Sequence, residues 1–153
     1  MTLAHFLRRT VIGTAMLLMM IGVPSSLHAQ GTPITGTAQV SISGGSVIVG
    51  NNVQVELKVN LTGVTGQAPD SSTTAAVLGA YVIDVNFDST RLQFISAAGG
   101  SSPKFAGDPT VNASTGKVTL SAVQNSASAP TGLVGVAFLT FKGIAAGSAA
   151  LQP

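Results

Sequence analysis

The chain has 153 residues, 45% of them hydrophobic, only 8% charged and 5% aromatic, with no Cys and no Trp. That length fits a single compact domain able to bury about two-thirds of its unfolded surface. The absence of Cys excludes disulfides and thiol chemistry. The formal charge of +2 rests on Arg8 and Arg9, both in the first segment.

Met1–Ala29 has the three parts of a cleavable secretory signal. Arg8 and Arg9 form a basic start, Val11–Val23 an apolar stretch, and Pro24 breaks the helix ahead of small residues ending at Ala29. Cleavage is expected between Ala29 and Gln30. The apolar run is shorter than the roughly 20 residues a membrane-crossing helix needs, so no membrane span is expected after its removal. The exported chain then carries Lys58, Arg91, Lys104, Lys117 and Lys142 against Glu56, Asp70, Asp84, Asp88 and Asp108. It is neutral, and it contains no His, Met, Cys or Trp.

That composition excludes most chemistry. Nucleophilic triads need an imidazole as the proton acceptor. Zinc, copper, haem and iron–sulfur centres draw on His, Cys or Met. Phosphate-binding glycine loops are absent, and scattered bases cancelled by acids do not bind nucleic acid. No catalysis and no cofactor are expected. Calcium is left open: Asp84, Asp88 and Asp108 are oxygen donors, but no EF-hand spacing joins them.

Beyond the signal, residues 30–37 (QGTPITGT) read as a flexible polar lead-in, and 38–153 as one domain. Gln39–Ser43 alternates with Val40 and Ile42 on one face. Glycine and asparagine turns bracket the apolar Ser46–Val49. Val53, Val55, Leu57, Val59 and Leu61 then alternate with polar residues, as a strand with one buried face does. Gly63–Val77 reads as a loop. In Leu78–Phe87, Tyr81, Ile83, Val85 and Phe87 face the core while Ala80, Val82, Asp84 and Asn86 face out. Asp88–Arg91 is a turn in which the Asp88 carboxylate accepts backbone N–H groups. Leu92–Ala97 is a strand, Gly99–Gly107 a loop and Lys117–Val123 a strand. A loop over Gln124–Gly132 leads into a strand over Leu133–Lys142. Ser148–Leu151 offers a last strand, so short that the domain is expected either to end tightly there or to be C-terminally incomplete. Short strands at roughly 8–12-residue spacing indicate an all-β sandwich.

Four segments in order resemble the cohesin domain, the β-sandwich of bacterial scaffolding proteins that captures dockerin modules. They are Val49–Val55 (VGNNVQV), Leu78–Phe94 (LGAYVIDVNFDSTRLQF), Gly116–Ser121 (GKVTLS) and Ala137–Gly143 (AFLTFKG). The resemblance implies a jelly-roll β-sandwich of about nine short strands. It also implies a partner lying across the strands Leu78–Phe87 and Leu133–Phe141. With Leu139 and Phe141 pointing inward, strict alternation puts Val134, Val136 and Phe138 outward beside Ala80, Val82, Asp84 and Asn86. These seven are the expected partner-binding residues. One departure stands out, because dockerin-binding members place Asn and Asp where this chain has Ala80 and Val82.

The expected function is a non-catalytic, secreted, periplasmic or cell-surface binding module, cellulosome-like, with a dockerin-like or other surface protein as partner. Two alternatives are a carbohydrate-binding module acting on a polysaccharide and a purely structural surface protein. Carbohydrate modules stack sugars on exposed rings, for which this domain offers one Tyr, Tyr81.

Overall fold

A computed structural model describes residues 34–67, 72–124, 126 and 128–153. The expected signal, its cleavage site and the first half of the lead-in (residues 30–33) lie outside the described residues. Among the described residues eleven strands follow one another: β1 (Ile34–Thr35), β2 (Gln39–Ile42), β3 (Asn52–Asn60), β4 (Thr65–Gln67), β5 (Thr73–Ala75), β6 (Ala80–Phe87), β7 (Leu92–Gly99), β8 (Thr110–Ser114), β9 (Lys117–Val123), β10 (Leu133–Gly143) and β11 (Leu151–Gln152). One 3₁₀ turn, Pro103–Phe105, interrupts them.

Two four-stranded antiparallel sheets form the sandwich. One has the order β2-β3-β10-β7, the other β11-β6-β9-β8. Neighbours that are distant in sequence, such as β3 with β10, make this a jelly roll. The alternation in β3 does what the pattern predicts: Val55, Leu57 and Val59 are buried with Leu139 and Phe141 of β10. Tyr81 and Val85 of β6 and Val118 and Leu120 of β9 complete the same apolar cluster from the second sheet. Phe141 joins the layers, with Phe87 and Phe94 edge-on at 5.3 and 5.7 Å between ring centroids.

Several expectations are corrected. Gly63–Val77 is not simply a loop, because β4 and β5 pair within it, and β1 from the lead-in adds a third strand to that small sheet. The stretch Thr110–Ser114 was not expected to be regular, yet it pairs with β9. Its signal was present: Val111 and Ala113 alternate with polar residues ahead of Thr115-Gly116, and Gly116 has φ 75°, as a two-residue hairpin turn requires. The last strand falls at Leu151–Gln152.

The segment after β7 crosses the outside of β10 as a strap. Gly100 N–H donates to Phe105 O at 2.8 Å and Ser102 N–H to Gly135 O at 3.1 Å. Ser101 N–H reaches the Glu56 carboxylate at 3.3 Å. Pro103–Phe105 turns the strap inward and buries Phe105, whose ring lies 5.5 Å from that of Tyr81.

Candidate protein-binding face

Val134 and Val136 were expected to point outward, but both are buried, 2% and 0% exposed. A β-bulge is the reason. Against β3, Gly135 opposes Lys58 and Ala137 opposes Leu57, so Val136 is an extra residue. The bulge reverses the in-and-out parity on its N-terminal side. Val134 therefore sits with Val59 on the inner face, and Leu133 becomes the exposed residue. Phe138 does face outward, but on the other side of the molecule. Strands β6 and β10 lie in different sheets, so Phe138, half-buried between Glu56 and Ala98, shares no surface with Ala80, Val82, Asp84 and Asn86.

Those four residues are all exposed, as expected, and the register shows what accompanies them. Opposed residues of antiparallel strands share a face. Ala80 lies opposite Val123, Val82 opposite Ser121, Asp84 opposite Thr119 and Asn86 opposite Lys117. β8 extends these rungs with Thr110, Asn112 and Ser114, and β11 adds Gln152 beside Asn86. One end of the face is apolar: Val82 is 75% and Val123 79% exposed, and with Ala80 they are neighbours across the ladder. The other end is polar. Lys117 Nζ lies 2.7 Å from Asp84 Oδ2, and the Thr119 hydroxyl donates to Asp84 Oδ1 at 2.6 Å. Sequence reasoning placed the β6 half of this face and missed the β9 half, although Thr119, Ser121 and Val123 alternate with the inward Val118, Leu120 and Ala122.

The carboxylates are committed to neighbours. Lys117 and Thr119 hold Asp84 below the ordinary carboxylate range. Thr90, through its hydroxyl and its N–H, and then Arg91 do the same for Asp88, which confirms the turn role expected of that residue. The Ser101 hydroxyl and then Lys58 lower Glu56. Asp108 accepts from Gly99 N–H at 3.1 Å. Among the described residues no three His, Cys, Asp or Glu side chains gather as a metal site would need.

Lowered folded-state values mean that these carboxylates stabilise the fold above their unfolded values of 3.8 and 4.5. That stabilisation is lost as pH falls through the folded values. The described residues include no His. Thermal stability should therefore be level from about pH 8 to 5 and fall below about pH 4. A step in the melting temperature between pH 5 and 7 would contradict this assignment.

Tyr81 is no sugar platform. It is 7% exposed, its hydroxyl donates to Val136 O at 3.1 Å, and burial pushes its pKa up to about 12.

No protein-family model matches the chain, and no curated protein matches it. Solved structures do. The sixth cohesin of Acetivibrio cellulolyticus scaffoldin B, solved in complex with a dockerin mutant, superposes with a TM-score of 0.55 at 19% identity, over 77% of this chain and 83% of that one. The chain has the cohesin fold. A non-cellulosomal cohesin from the hyperthermophilic archaeon Archaeoglobus fulgidus gives 0.54 at 12% identity, over 76% and 75%. A type II cohesin module from the adaptor scaffoldin ScaA of A. cellulolyticus gives 0.51 at 13%, over 76% and 70%. At these identities the likeness is one of fold.

Proposed function

We propose that this chain is a non-catalytic, extracytoplasmic protein-binding module, whose docking surface is the outer face of the β11-β6-β9-β8 sheet. The observation that carries this reading is the diagonal neighbourhood of Val82 and Val123 on adjacent rungs, both more than 70% exposed, beside the Asp84–Lys117–Thr119 network. Exposed apolar side chains bordered by polar groups are what a protein interface presents. The similar scaffoldin cohesin was solved with a dockerin, which supports a dockerin-like partner here. Ala80 and Val82 make contacts of a different kind from polar ones, so the partner is expected to offer an apolar surface at that end. Among the described residues every aromatic ring is buried or half-buried, which disfavours ring stacking on a polysaccharide. A signal peptide over residues 1–29 would place the module outside the cytoplasm.

Capture from the source organism's secretome by the immobilised protein tests the face. Val123→Asp should lose at least tenfold of the captured partner, because a desolvated carboxylate opposes an apolar contact. Ser96→Asp, exposed in β7 of the opposite sheet, should retain capture. Equal capture by both variants would remove this face from the interaction.

A further inference from the structure

Strand β8 stops short of the end of β9. Its final rung there joins Thr110 to Ser121, and the buried Pro109 before it has no N–H with which to continue the ladder. β9 runs on through Ala122 and Val123, paired with β6 but not with β8. Beside this step lies a cavity of about 250 Å³. The strap lends Lys104, Phe105, Gly107 and Asp108 to its wall, and Ala122 and Val123 of β9 stand across from them. Space remains because Gly107 has no side chain and Ala122 only a methyl group. The cavity reaches from the outer face, where Val123 is 79% exposed, inward to the buried Phe105 ring.

The strap is fixed where it forms this wall. Phe105 N–H donates to Ser102 O at 2.9 Å, and the Asp108 carboxylate accepts from Gly99 N–H at 3.1 Å. With the Glu56 and Gly135 contacts, these bonds preform the cavity, so little ordering free energy is lost in filling it. Charge marks what fills it. Of the five described cations, Lys58, Arg91 and Lys117 have carboxylate partners. Lys104 has none among the described residues, and it is exposed. Asp108, the other charge at the cavity, is engaged by the strap.

We infer that this cavity is the anchor of the proposed docking face, taking from the partner protein an apolar side chain next to a carboxylate. The apolar group fills the space between Phe105, Ala122 and Val123, and the carboxylate pairs with the Lys104 ammonium. Anchors of this kind, seated in a pocket within a flatter contact, carry most of the affinity of a protein interface. A protein occupant is indicated by continuity, because Val123 belongs both to the cavity and to the exposed patch it forms with Val82. The inference rests on that face for the identity of the occupant.

Amide chemical-shift titration of the full chain provides the test, with the acetylated and amidated peptides Gly-Leu-Glu-Leu-Gly and Gly-Leu-Gln-Leu-Gly as probes. The Glu peptide should shift the Phe105, Gly107 and Val123 amides and bind about threefold tighter than the Gln peptide at low ionic strength. Salt at about 1 M, where the screening length is ~3 Å, should erase that difference. Lys104→Glu should reverse the order, so that Gly-Leu-Lys-Leu-Gly binds tightest. Lys142→Glu makes the same change of charge on the opposite sheet and should leave the Glu peptide unaffected. Gly107→Leu puts a side chain at the cavity wall, where a Cβ meets nothing within 4 Å. It should keep the melting temperature and abolish the shifts. Equal affinity for the Glu and Gln peptides, or equal loss in Lys104→Glu and Lys142→Glu, would overturn the inference. So would binding undiminished in a folded Gly107→Leu variant, or the same shifts produced by acetate alone. Should Gly107→Leu lower the melting temperature, the charge reversal at Lys104 decides. Partner capture lost in Val123→Asp but intact in folded Lys104→Glu would refute the anchor and leave the face standing. Capture intact in Val123→Asp would remove the face, and with it the protein occupant, whatever the peptides do.

Discussion

Replacing Phe141 with alanine should lower the melting temperature by roughly 10–25 °C. The side chain is 0% exposed, and its ring holds Phe87 of the opposite sheet and Phe94 of its own edge-on. Truncating a buried phenylalanine costs about 3–5 kcal/mol, from lost transfer energy and from the cavity left behind. Total stability for a domain is about 5–15 kcal/mol, so this one change can remove much of it. No disulfide is available to offset the loss, because the chain has no Cys. Urea denaturation should show a lower midpoint with an unchanged slope. Phe141→Leu should lose less, because it refills part of the cavity. A midpoint within experimental error of wild type for Phe141→Ala would mean that the two layers are not joined through this residue.

The second large effect is expected at Gly100, in the strap that crosses β10. A Cβ at this position would fall on the Gly135 carbonyl and on backbone carbon of Val136. Those atoms belong to the bulge and cannot rotate away as a side-chain tip can. Either the strap lifts, losing the Ser102–Gly135 and Gly100–Phe105 hydrogen bonds, or β10 shifts. Overpacking of this kind costs about 1–3 kcal/mol. Phe105, buried by the turn that follows, adds to the loss if the strap detaches. Gly44 is the matched control: a Cβ there meets nothing within 4 Å, so Gly44→Ala should stay within about 0.5 kcal/mol of wild type. Urea midpoints of the two alanine variants decide the matter. Equal midpoints would show that the strap is held loosely.

Much of the fold was legible because a strand writes its environment into every second residue. β3, β6, β9 and β10 each pair an inward apolar set with an outward set, and each lies within two residues of its predicted limits. The short elements were not legible. β1, β4 and β5 have two or three residues each, too few for a period to show. Phe105 looked like part of a polar loop, since a single buried ring in a 3₁₀ turn has no period at all.

The candidate site divides along the same line. Ala80, Val82, Asp84 and Asn86 face outward as their alternation predicts, because β6 runs unbulged against β9. Val134 and Val136 were misplaced, because alternation counted from Leu139 holds only as far as Ala137, beyond which the bulge takes up Val136 as an extra residue. Phe138 was placed on the correct side of its own strand but against the wrong neighbour.

From its own residues the sequence determined that residues 30–153 are neutral and all-β, without His, Cys, Met or Trp. The outward and inward sets of its longest strands were also determined there, because both follow from composition and a period of two. Only the tertiary structure decided which strands share a sheet and where β10 is bulged. Pairing joins residues far apart in the chain through backbone groups common to all residues, and side-chain type carries little record of it.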